Sequence, residues 1–225
     1  MIFRYFNVYP YLIRQSDLGF IIRLSDTKDI WIINCIEGCQ FNVFNSNFKL
    51  NNLSKLIITS LHIDNISGLL GLLSSLNLIG RFKSLHIYAP IDLKYYLDLG
   101  KKYSRTNFSY VIYLHVITTG LIVNQYGCRI YAFYGHNNYD FVILQSEQYG
   151  TFCLDQARKN YFAPGPLYGK LKNGSTFLFP DGTIVNGCKF TSHNLLGCQL
   201  SFFASSFYRK QVIENTIFSR IILLN

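Results

Sequence analysis

The residues best equipped for chemistry lie in one short stretch, Ser60-Leu61-His62-Ile63-Asp64-Asn65. Side chains two apart at a strand end point the same way and can grip one metal ion, while side chains from the turn of a following helix can reach a second. Two bridged metals generate hydroxide near neutral pH and stabilise the charge on a phosphodiester under attack. On residue types alone the stretch reads first as a core strand whose following helix is capped by Asp64 or Asn65, since a single His and Asp make a weak motif. A second region lies between residues 150 and 190, where Lys159, Lys170, Lys172 and Lys189 interleave with Tyr161, Phe162, Tyr168, Phe177 and Phe179. That mixture suits phosphate contact and base stacking. A hairpin rich in Pro and Gly would need many of the same residues simply for its turns.

The elements that must position these residues follow from periodicity. Leu56 to Thr59 is a short β-branched strand, and the Gly- and Leu-rich run after it predicts a helix that begins near Asp64 and extends over Leu69 to Ile79. Upstream, Phe3 to Leu24 alternates apolar with polar residues, a hairpin closes at Asp26 to Asp29, and Ile30 to Asn34 is a strand. Glu37 to Asn45 has the composition of a short helix. Ser84 to Pro90 reads as a buried strand stopped by proline, and Ile91 to Tyr103 as an amphipathic helix with Leu93, Leu97 and Leu99 on one side. Further strands are expected at Tyr110 to Thr118, Gly127 to Phe133 and Tyr139 to Gln145. Alternating strands and helices followed by strand runs predict an α/β sandwich of sheets flanked by helices. Residues 150–190 lose strand periodicity and read as a loop-rich protruding arm.

Composition bounds the rest. With 225 residues and 49% hydrophobic content, the chain reads as a single domain, 1–225, able to bury roughly 70% of the surface its unfolded form exposes. A formal net charge of +9 favours a polyanionic partner, RNA, DNA or a membrane surface, although a generally basic soluble surface has the same signature. Six scattered cysteines contain no CxxC pair, so reduced, mostly buried thiols are expected. The N-terminus lacks the features of a signal or transit peptide, and no apolar run is long enough to span a bilayer. The expectation is a soluble protein that stays where it is made. Abundant Phe, Tyr, Ile, Asn and Leu match the coding bias of an AT-rich organelle genome.

Several segments, in order, resemble the ribonuclease Z family of the metallo-β-lactamase superfamily. Trp31-Ile32-Ile33-Asn34-Cys35-Ile36-Glu37-Gly38-Cys39-Gln40 is similar to that family's strand and turn, Leu56 to Ser75 to its metal motif and following helix, and Leu85 to Pro90 to a further strand. Pro164-Gly165-Pro166-Leu167-Tyr168-Gly169-Lys170-Leu171-Lys172-Asn173-Gly174, followed by Asp181-Gly182, is similar to the most specific family segment. The resemblance implies an αββα sandwich with a protruding Gly/Pro-rich arm, zinc as cofactor, and endonucleolytic trimming of the 3′ trailer of precursor tRNA.

Carried over position by position, the resemblance assigns His62, Asp64 and His136 as metal ligands, with Asp64 also positioning the attacking water as the catalytic residue. Ser60 and Asn65 stand where the family has two further histidines, and Ser205 where it has a bridging aspartate. The family pattern continues beyond Asn225, so the sandwich is expected to be truncated in its second half, with apolar surface exposed around Ile217, Ile221, Ile222 and Leu223. The basic loop that the family carries near its N-terminus has no counterpart at Tyr11 to Ser16. Gly165, Pro166, Tyr168, Lys170 and Lys172 are the implied RNA-binding residues. These departures imply weak or absent zinc and impaired catalysis, with precursor tRNA as partner, a homodimer or second subunit, no membrane, and a plastid-encoded, soluble protein. An active zinc-dependent nuclease, perhaps completed by another chain, and a remnant without a biochemical role stay open as alternatives.

Overall fold

The structure is a computed structural model that describes residues 2–7, 18–24, 28–45, 48–125, 127–135, 137–147, 150–180, 182–192, 196–204, 210, 214, 216–219 and 221–224. Strands β1 (Ile2–Asn7), β2 (Leu18–Arg23), β3 (Ile30–Ile33), β4 (Leu53–Ile57), β5 (Leu85–Ala89) and β6 (Ile112–Val116) form one sheet in sequence order. The first two pairings are antiparallel and those from β3 to β6 are parallel. Parallel neighbours need crossovers, and helices supply them. Between β3 and β4 runs α1 (Cys39–Asn45), between β4 and β5 run α2 (Ile63–Ile66) and α3 (Leu69–Leu78), and between β5 and β6 runs α4 (Leu93–Ser104).

Strand β3 shows why the apolar runs are continuous. All four of its residues are buried, because both faces of this sheet are covered. Ile30 and Ile32 pack among Leu69, Leu72, Leu73 and Leu76 of α3, whereas Trp31 and Ile33 point to the opposite face. There they meet a second sheet, which includes β7 (Gly120–Gln125), β8 (Cys128–Gly135) and β9 (Asn138–Gln145). Next along the chain come α5 (Leu154–Lys159), α6 (Pro166–Lys172) and the small hairpin of β10 (Thr176–Leu178) and β11 (Ile184–Asn186). Strands β12 (Cys198–Phe203) and β13 (Ile221–Leu224) then complete the second sheet in the order β13-β12-β9-β8-β7. Ile130, Phe141, Ile143, Leu200 and Phe202 fill the space between the sheets, with the Phe202 ring edge-on to Phe20 at 5.1 Å.

Helices outside one sheet, and a second sheet packed against its other face, give the expected α/β sandwich. The outer face of the second sheet is met at Gln199 and Ser201, both hydrogen bonded to Ser219. At the chain's last described residues the expected apolar exposure is partly found. Ile217 and Phe218 are exposed and Ile222 is about half exposed, whereas Leu223 packs against the inter-sheet core. The side chain of Ile221 lies outside the described residues. Strand β13 pairs parallel with β12, which draws its alternate side chain inward.

Two readings of the sequence need correcting. The Gly- and Pro-rich arm is not mainly loop, since it contains α5, α6, a hairpin and a 3-10 turn at Gly187–Phe190. Its proline marks a helix start: Pro166 opens α6, where the missing N–H costs no hydrogen bond. Strand β7 went unread because Gly120 and the polar pair Asn124-Gln125 interrupt its pattern, and only Val123 of this edge strand is fully buried.

Candidate functional site

Open α/β sheets collect ligands beyond the carboxyl ends of their parallel strands. Ile58, Thr59 and Ser60 leave β4 at that end and run into α2. The loop is fastened from two sides. Cys35 donates its N–H to the Asn65 carbonyl at 2.8 Å, and Gly68 donates to the Cys35 carbonyl at 2.9 Å. Gly68 must be glycine, because a Cβ there would come within 2.0 Å of the Ile36 carbonyl oxygen.

Four side chains at this end form one buried hydrogen-bonded cluster. Asn65 Nδ2 donates to Thr59 Oγ1 at 3.1 Å and to Ser60 Oγ at 2.8 Å. The Thr59 hydroxyl and backbone N–H both donate to Asn34 Oδ1 at 3.0 Å. Asn34 holds φ at 58°, a left-handed conformation that asparagine tolerates better than most residues. Nothing in the spacing of the motif announced Asn34 or Thr59 as partners. The signal that existed was an asparagine placed directly after an apolar strand.

The other predicted ligands behave differently. His62 is exposed and Asp64 is partly exposed, with His62 Nδ1 3.0 Å from Asp64 Oδ2. His136 and Ser205 lie outside the described residues, but their neighbours come to the same end of the sandwich. Tyr139 donates its N–H to the Thr59 carbonyl at 3.0 Å. Asn138 Nδ2 donates to the Ala204 carbonyl at 3.2 Å, and Ala204 donates its N–H to Asp140 Oδ1 at 2.8 Å. The segments carrying the motif, the third histidine and the missing aspartate are therefore brought together.

The described donors do not fit a pair of zinc ions. Among the described residues no three His, Cys, Asp or Glu side chains converge. Asn65 turns its amide hydrogens toward the two hydroxyls, and its buried Oδ1 has no hydrogen-bond partner. A single amide oxygen is a poor substitute for the nitrogen and sulfur donors that zinc takes. Of the predicted ligands, the described residues supply the His62 imidazole and the Asp64 carboxylate.

The predicted RNA-binding residues sit on α6 and its approach. Gly165 and Pro166 are exposed at the helix start, and Lys170 and Lys172 are exposed in its last turn. Tyr168 is half-buried, donating its hydroxyl to the Phe162 carbonyl at 2.6 Å and packing on Phe152 at 4.8 Å. Phe162 in turn contacts Phe179 and Phe190, so most aromatics of the arm form its own small core. Tyr161, 96% exposed with φ at 58°, is the aromatic left facing solvent.

No protein-family model matches the chain. Similar sequences include the "Uncharacterized protein ycf56" of Pyropia yezoensis, 40% identical over 186 residues that cover 81% of this chain and 71% of that one. They also include proteins named Ribonuclease Z from Nostoc sp., 30% identical over 196 residues, and from Acaryochloris marina, 32% identical over 196 residues. Both matches cover 86% of this chain, which spans 61% and 62% of those two relatives. Among solved structures, the metallo-β-lactamase fold protein YhfI of Bacillus subtilis aligns with a TM-score of 0.55 at 12% identity, covering 97% of this chain and 66% of its own. Zn(2+)-bound PqqB of Methylobacterium extorquens aligns with a TM-score of 0.55 at 9% identity, covering 92% and 56%. The chain belongs to the ribonuclease Z-like family and has the metallo-β-lactamase fold.

Proposed function

We propose that this protein serves tRNA 3′-end maturation by binding precursor tRNA, and that its own metal site does not cleave it. The hydrogen bond from Asn65 to Ser60 carries this reading. Those two positions are where the family resemblance expects imidazoles, and here one donates a hydrogen bond to the other. Asn65 spends its amide hydrogens on Thr59 and Ser60 and keeps only its unpartnered Oδ1 as a possible ligand atom. RNA binding draws support from the +9 charge, from the exposed Lys170 and Lys172 at the end of α6, and from relatives named Ribonuclease Z. Relatives named ycf56 in Pyropia yezoensis and Porphyra purpurea, and a composition rich in residues whose codons are dominated by A and T, favour a plastid origin.

A second reading, an active zinc nuclease completed by another copy or a partner subunit, draws on the solvent-facing His62 and Asp64 pair. One assay separates the two: purified protein with precursor tRNA and added zinc, scored for binding, cleavage and bound metal. Binding is expected to survive chelator and to fall steeply with salt, with zinc well below two per chain and no 3′ product. Lys170→Ala with Lys172→Ala weakens binding and flattens the salt slope by about one unit per lost contact, while His62→Ala leaves it unchanged. Cleavage on adding zinc would overturn the binding-only reading. Absence of tRNA affinity at low salt would remove RNA from the function altogether.

A further inference from the structure

At the opposite end of the parallel sheet, where β3, β4 and β5 begin, the surface opens into a polar groove of about 350 Å³. Its walls include Lys55, Arg81, Lys83 and His86, against Asp29 as the one acidic residue among those described. Two of these cations are almost wholly buried, Lys55 at 3% and Arg81 at 1% exposure. Buried charge is normally held by a counter-charge. Arg81 instead donates to the backbone carbonyls of Lys83, Leu53 and Ser84 at 2.6–2.8 Å, and to Asn51 at 3.4 Å. Lys55 donates to Gln125 Oε1 at 2.6 Å and lies 4.9 Å from the centre of the Trp31 ring. Burial lowers the Lys55 pKa, with the attraction of Asp29 working against it.

A second groove of about 380 Å³ adjoins the first through Asn52 and adds Arg23, Lys28 and Lys49. Arg23 is steadied there over the Phe48 ring at 5.8 Å. Together the two grooves, which share Asn52, present six cations to one carboxylate among the described residues. Low-dielectric walls focus such a field outward, and the carbonyl cage of Arg81 fixes its charge before any ligand arrives. A small ligand is usually held in an enclosed, mostly apolar cavity, which these open polar grooves are not. They suit a chain of solvated phosphates instead.

We infer that the floor of these grooves is a phosphate-contact surface for a single-stranded stretch of RNA, separate from the arm and from the metal-motif end. The inference rests on the RNA-binding reading above and adds a second contact surface to it. Exposed Lys49 and Lys83 neutralise phosphates directly, while Lys55 and Arg81 supply fixed positive potential from beneath.

The test is fluorescence anisotropy of an end-labelled oligouridylate against salt, for the full chain and two double variants, with precursor tRNA run in parallel. Lys49→Ala with Lys83→Ala is expected to weaken oligouridylate binding roughly fivefold or more at low salt and to lower the salt slope by about 1.4, at 0.7 per single-strand phosphate contact. Lys170→Ala with Lys172→Ala should leave oligouridylate affinity in place and weaken only the tRNA. Lys55→Met, its fold checked by circular dichroism, should weaken the oligonucleotide as well. An unchanged affinity and slope in the Lys49/Lys83 variant overturns the inference. Binding of inorganic pyrophosphate without oligouridylate binding also overturns it, in favour of a small-anion site. Loss of tRNA affinity in the floor variant but not the arm variant would count against the arm alone and uphold the floor.

Discussion

Replacing Asn65 tests whether the motif end is held by hydrogen bonds or kept for metal. Asn65→Ala removes two buried hydrogen bonds, at 3.1 Å to Thr59 and 2.8 Å to Ser60, each with a net value of about 1 kcal/mol. Thr59 keeps its bonds to Asn34, and the unpartnered Asn65 Oδ1 disappears with the side chain, which returns part of the cost. The balance is a loss of roughly 1–2 kcal/mol, a fall of roughly 0.5–1 M in urea midpoint at an m-value of about 2 kcal/mol/M. Asn65→Asp is the sharper variant. A carboxylate there loses both amide donations and can accept only from the Ser60 hydroxyl, since the Thr59 proton is committed to Asn34, so a buried charge is poorly met and Asp should cost more than Ala. If the site served metal, the opposite order would hold, because Asp adds a ligand and gains stability when zinc is supplied. Urea unfolding of both variants, with and without zinc, decides it. Zinc-dependent stabilisation of Asn65→Asp above the parent would refute the hydrogen-bond reading.

Three further outcomes follow from named contacts. Arg81→Met strands four backbone carbonyls that now accept from one guanidinium, and should cost roughly 3 kcal/mol or more; a loss below about 1 kcal/mol in urea unfolding would contradict the carbonyl-cage account. His86 has its pKa lowered from the usual 6.5 by burial first, and then by His115 and Lys55. Its stabilising contribution is therefore present above pH 6.5 and lost as pH falls through the lower folded value, and His86→Gln should flatten that acid-side decline in a melting series. Chelation should leave the melting temperature in place, whereas a zinc ion present at 1,000 times its Kd would add about 4 kcal/mol, worth roughly 8–16 °C for a chain of this size.

How much of this was legible in the sequence depended on whether the deciding contact was local. Strands β3 and β5 were readable because they are buried and largely apolar, whereas β4 begins three residues before the expected Leu56, since Ser54 and Lys55 break its apolar run. Helix α4 was readable because Leu93 and Leu97 repeat at helical spacing on its buried side. The arm was misread because proline and glycine signal turns and helix starts alike, and only the packing of Leu171 and Phe190 in the folded arm selects the helix. The motif showed which ligands were altered but not what replaced them. Asn34 and Thr59 are 25 residues apart, and no pattern within the motif points across that gap. Arg81 was the least legible, since an arginine in a polar turn gives no local sign that it is among the largest fully buried side chains.

The two ends of the parallel sheet differ in a way that bears on function. At the carboxyl ends, Asn65, Ser60, Thr59 and Asn34 direct their hydrogen bonds at one another. These bonds tie the motif loop to the end of β3, while Asn34 Nδ2 and Asn65 Oδ1 stay buried without a hydrogen-bond partner. At the amino ends the balance runs the other way. Lys55 and Arg81 are buried with carbonyl, amide and aromatic partners that carry no full negative charge, and the Asp29 carboxylate in the groove wall attracts Lys55. Burial of that charge is costly unless something offsets it, and a phosphate chain lying along Lys49 and Lys83 would do so. On the reading proposed above, a polyanion is held at the amino ends, where Lys55 and Arg81 supply fixed positive potential beneath the exposed Lys49 and Lys83.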